Sequence, residues 1–82
     1  DVRAMAKNGI SQREGIQIAV ASIGAVDNLA RPARAEQVIL TKESPRLAWK
    51  VVLSTKHPAQ EWAVWVDAQS GKVLQHREIS VD

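Results

Sequence analysis

The sequence predicts an α+β fold: one N-terminal helix packed on a four-stranded antiparallel meander sheet. Three observations predict it. A capping signature at Ser11 opens an apolar stripe at helical spacing. After Pro32 the hydrophobic period changes to two, in four successive segments. The breaks between those segments are short, which fits hairpins rather than crossovers. One face of such a sheet is apolar and needs a cover. The upstream helix is the element available to supply it.

Asp1 to Gly9 is polar and small, with Asn8-Gly9 as a turn signal, and reads as a linker or disordered arm. Residues 10–82 then read as a single domain. Ser11-Gln12-Arg13-Glu14 matches a capping box, and Ile10 before it can staple onto the first turn. The helix runs from Gln12 to Ile23. Ile16, Ala19, Val20 and Ile23 make its stripe, with Ile18 and Ala21 on the flanks. Gly24 is a natural stop, and Gly15 is a weak spot inside the first turns.

Asp27 to Arg34 is a connection broken by Pro32. Glu36 to Lys42 is the first predicted strand, with Val38 and Leu40 on one face and Gln37, Ile39 and Thr41 on the other. Glu43-Ser44-Pro45 is a tight turn. Arg46 to Ser54 is the clearest strand: Leu47, Trp49, Val51 and Leu53 point one way, Ala48, Lys50, Val52 and Ser54 the other. Lys56-His57-Pro58 turns the chain. Gln60 to Asp67 follows, with Trp62, Val64 and Val66 opposite Ala63 and Trp65. Ala68 to Gly71 is a hairpin loop, and Lys72 to Ile79 is the last strand, polar towards its end.

Composition bounds the function. The 82 residues are 45% hydrophobic and 24% charged, so the chain is globular rather than disordered. A chain this short buries roughly 60–65% of its unfolded surface, too little for a deep catalytic cleft. The net charge is +2, with neither half a cationic tract, which disfavours a dedicated nucleic-acid binder. There is no cysteine, which excludes disulfides, zinc–thiolate sites and thiol nucleophiles. No apolar run reaches the ~18 residues of a membrane span.

The chemistry-bearing residues point away from catalysis. His57 and His76 are the two histidines, and they are not at ligand spacing. No serine lies in a Gly-x-Ser-x-Gly elbow, and the four glycines are too scattered for a phosphate loop. No catalytic, metal-binding or cofactor-binding residue is expected. Arg31, Arg34 and Arg46 read as a solvated surface near Glu36 and Glu43. Asp67 and Gly71 frame the last hairpin: the carboxylate can accept from backbone amides, and Gly71 can take positive φ and close the loop with a bulge.

The three tryptophans stand out because the chain has no Phe and no Tyr. Trp49 and Trp62 lie on strand faces expected to be buried and read as core. Trp65 lies on the other face. There it is either a docking anchor or a ring covered by Lys50 or Arg77 through methylenes and a cation–π contact.

Leu47-Ala48-Trp49-Lys50-Val51, followed by Trp62-Ala63-Val64-Trp65-Val66-Asp67-Ala68-Gln69-Ser70-Gly71-Lys72-Val73-Leu74, resembles the PepSY domain. The Ile10-Ser11 cap and the stripe through Ala19, Val20, Ala21 and Ile23 extend the resemblance to about residues 10–79. Within that family the pattern is most similar to the propeptides of secreted thermolysin-like and fungalysin-like zinc metallopeptidases. The resemblance implies a prosegment that acts as intramolecular chaperone and inhibitor of the peptidase domain of the same precursor. The zinc and the His-Glu-x-x-His motif belong to that peptidase domain, so no catalytic or metal residue is implied for this chain. It further implies a secreted, periplasmic or cell-envelope location. A stand-alone PepSY module of the bacterial envelope, binding a peptide or protein, is the alternative. The docking candidates are Trp65 and the tail Ile79, Ser80, Val81 and Asp82, which can run on as a substrate-like strand.

Overall fold

The computed structural model describes residues 9–41 and 45–79. The element order is α1 (Gln12–Ile23), β1 (Arg34–Leu40), β2 (Arg46–Lys56), β3 (Ala59–Asp67) and β4 (Val73–Glu78). The strands form one antiparallel sheet in the order β1-β2-β3-β4, the expected meander. The arm Asp1 to Asn8, Lys42 at the end of the first expected strand, the turn residues Glu43 and Ser44, and the tail Ser80, Val81 and Asp82 lie outside the described residues.

The capping box forms. Ser11 Oγ accepts from the Glu14 amide at 3.1 Å, and Glu14 Oε1 accepts from the Ser11 amide at 2.9 Å. At the other end Gly24 takes the left-handed conformation, φ 75°, and donates to the Ala21 carbonyl at 3.0 Å. Ala25 donates to Val20 O at 3.0 Å, so two orphan carbonyls are satisfied in the helix-stop geometry that glycine permits.

Small side chains on α1 let it lie close to the sheet. Ala19 and Val20, with Ala25 beyond the helix, meet Val51 and Leu53 of β2 and Val64 and Val66 of β3. All seven are buried. Ile10, Ile16, Ile18 and Ile23 pack around this centre. Trp49 and Trp62 face the helix as expected, but they are half-buried at the margin of the core rather than in its middle. Trp49 keeps its indole N–H satisfied by donating to Ile10 O at 3.2 Å.

Several boundaries differ from the sequence reading, each for a pairing reason. β1 starts at Arg34, because Arg34 and Ala35 pair with Val52 and Val51. β2 runs on to Lys56, because the connection supplies partners for it. Leu29 bridges Thr55, Ala30 N donates to Ser54 O at 2.8 Å, and Lys56 N donates to Asn28 O at 3.0 Å. Asn28 also grips the β2–β3 turn. Its amide donates to His57 O at 2.9 Å, and its Oδ1 accepts from His57 N at 3.1 Å. β3 accordingly begins at Ala59, opposite Lys56. The His57–Pro58 peptide is cis. The bulge expected at Gly71 lies further on: Trp65 pairs with Gln75 and Val66 with Val73, which leaves Leu74 as the extra residue. β4 spans Val73–Glu78, one residue shorter than expected at each end.

Candidate protein-docking face

The helix covers one face of the sheet. The other face is built from the alternate residues of each strand, and register places them in rows. One row runs Arg34, Val52, Ala63, Arg77 from β1 to β4. The next runs Glu36, Lys50, Trp65, Gln75. A third pairs Val38 with Ala48 and Ala48 with Asp67.

Trp65 therefore stands on β3, an inner strand, on the face opposite the helix. It is half-buried, and the Lys50 ammonium sits 5.9 Å from its ring centroid. That distance is within the range of a cation–π contact. The ring is thus partnered by Lys50, as the covered reading of Trp65 expects, and being half-buried it still presents surface. The small residues beside it are more buried than an uncovered sheet face suggests. Ala48 and Ala63 are buried.

Asp67 fixes one border of the face. Its Oδ1 accepts from the Gln69 amide at 2.8 Å and the Ser70 amide at 3.0 Å, and its Oδ2 meets Arg46 Nε at 3.5 Å. The Asp67 carboxyl is held below its ordinary value, chiefly by the Ser70 amide. Partial burial opposes this, and the Gln69 amide and the Arg46 charge add to it. The loop closes with Gly71 N donating to Asp67 O at 2.9 Å and Asp67 N to Lys72 O at 2.8 Å. Gly71 has the expected positive φ, 79°. Arg46 is thus tied to a carboxylate on the next strand.

A shallow hollow of about 370 Å³ opens at the β1 border, lined by Arg34, Ala35, Glu36, Lys50 and Val52. Arg34, Lys50 and Arg77 have no ion-pair partner among the described residues. Sequence reading missed that Arg34 and Arg77 end one row with Lys50 in the next, because residues far apart in the chain meet only through register.

The remaining candidates lie elsewhere. Ile79 is part-exposed at the sheet end, where its amide donates to Glu61 O at 2.8 Å. His57 is exposed in its turn, and exposed His76 tilts against Trp62 at a ring distance of 5.9 Å. Among the described residues, no three His, Cys, Asp or Glu side chains gather where they could hold a metal ion. Ser11, Ser22 and Ser70 each bond nearby backbone. No helix among the described residues is long and apolar enough to cross a membrane. This arrangement offers contact surface and charge. The chain matches no family model, no curated protein and no solved structure.

Proposed function

We propose that this chain is a PepSY-type prosegment domain of a secreted zinc metallopeptidase, folding assistant and inhibitor of the peptidase domain in the same precursor. The observation that supports it best is the helix-free face with Trp65 near its middle. A chaperone–inhibitor works by presenting a preformed surface on which the catalytic domain folds and by occluding its cleft. It performs no reaction of its own. Among the described residues, the helix covers one face of the sheet and no second layer covers the other. A half-buried tryptophan braced by Lys50 supplies an anchor of low entropy cost. The Asp67–Gly71 hairpin, whose wording carries the family resemblance, braces the border of that face.

The second reading is a peptide- or protein-binding module of the bacterial cell envelope. The hollow between Arg34 and Lys50 favours it, since a groove at a sheet border suits an extended peptide.

The reading frame and an inhibition assay separate the two. The prosegment reading expects a His-Glu-x-x-His domain in the same precursor, whose casein hydrolysis the purified chain suppresses. A precursor without that domain, or a peptidase indifferent to the chain, overturns it.

A further inference from the structure

The row Arg34–Val52–Ala63–Arg77 crosses the whole sheet. Its ends are guanidinium groups on the two edge strands, and its middle is one valine and one alanine. Arg34 and Arg77 are exposed and have no ion-pair partner among the described residues. Neighbouring strands are about 4.8 Å apart, so three steps separate the two backbone positions by about 14 Å. An extended peptide rises about 3.4 Å per residue, so side chains four residues apart on one of its faces are also about 14 Å apart.

From this match we propose that the helix-free face binds an extended acidic polypeptide segment laid across the strands. Its two carboxylates stand four residues apart, one on Arg34 and one on Arg77. The residue midway between them is small or apolar and rests over the half-buried Val52, since Ala63 beside it is already buried. Trp65 and Lys50 wall the next row. Glu36 in that row repels a carboxylate shifted one step along, which holds the segment in register. The same glutamate opposes a nucleic-acid strand, whose phosphates are spaced more closely than the two arginines and need a continuous cationic track. This inference rests on the docking reading of the helix-free face. It adds the chemistry of what docks there: an acidic strand of the protein partner.

The test uses the blocked pentapeptide Glu-Ala-Val-Ala-Glu, its Gln-for-Glu counterpart and a short oligothymidylate. Each is titrated into the isotope-labelled chain at low salt and followed by amide chemical shifts. The Glu peptide is expected to shift the amides of Arg34, Val52, Ala63 and Arg77. Because charge-assisted bonds are at stake, the Gln peptide should bind about tenfold more weakly. Arg34→Gln and Arg77→Gln should each weaken binding of the Glu peptide, while Arg13→Gln on the helix should not. The proposal is overturned if the Glu peptide does not bind, if the Gln peptide binds as well, if the shifts lie elsewhere, or if oligothymidylate binds the same row more tightly. Peptide binding without peptidase inhibition keeps this inference and removes the prosegment reading. Inhibition that depends on Trp65 but is indifferent to Arg34→Gln with Arg77→Gln does the reverse.

Discussion

Gly15 of α1 lies so close to the Trp49 side chain of β2 that a methyl group on its Cα would sit 3.1 Å from Trp49 Cδ1 and 3.3 Å from Trp49 Cβ. The glycine that weakens the helix locally is what lets the helix seat on the sheet. The Trp49 Cβ cannot retreat, since it is anchored to a central strand, and the indole is held by its bond to Ile10 O. Gly15→Ala should gain about 1 kcal/mol in helix propensity and lose about 2 kcal/mol to overpacking. The expected result in urea unfolding is a net loss of about 1 kcal/mol. An alanine variant more stable than the parent would show that the helix can lift off Trp49 freely.

Gly71 combines a positive φ of 79° with close contact, since an added Cβ would lie 3.1 Å from Ile18 Cδ1. Gly71→Val should therefore cost about 2 kcal/mol or more from backbone conformation alone. Thermal melting reads the effect directly. An unchanged midpoint would count against the hairpin as described.

Asp67 gives the domain a predictable response to acid. Its folded-state value is depressed below the ordinary 3.8. The stability it contributes is present above 3.8 and is lost as pH falls through the lower folded value. Asp67→Asn keeps an acceptor but loses the charge. It should be about 1 kcal/mol less stable than the parent at neutral pH. The gap should close as pH falls through that window. Arg46 is more than half exposed, so most of the gap comes from the amides, and salt should change it little. A gap that persists in acid would assign the loss to packing.

Trp65 and Trp62 should separate cleanly. Trp62 packs against the core on the helix side, whereas Trp65 lies on the other face against Lys50. Trp62→Ala should cost about 3 kcal/mol. Trp65→Ala should cost about 1 kcal/mol and leave the far-ultraviolet dichroism unchanged. A collapse of the Trp65→Ala variant would place that residue in the core.

The helix, its caps and the four strands were legible because each is written locally. Ser11 and Glu14 sit one turn apart, and Val51, Leu53, Val64 and Val66 alternate with their neighbours. What escaped the sequence was what depends on neighbours brought in by folding. Arg46 finds Asp67 across a strand pair, and Lys56 stays in β2 because Asn28 returns to it. The Leu74 bulge shifts β4, so that Gln75 and Arg77 share the Trp65 face. Gly15 looked like a flaw until Trp49 was beside it. The docking face was half legible. Alternation put Trp65 on the second face, but only register lined up Arg34 with Arg77.

On the proposed function, the helix-free face engages a peptidase partner through Trp65. The most direct measurement is the inhibition constant of the chain against the peptidase domain of its own precursor, for the parent and for Trp65→Ala. A weakening of about thirtyfold is expected, the size for a central aromatic anchor, in a variant that remains folded. Equal inhibition by the two proteins would contradict it.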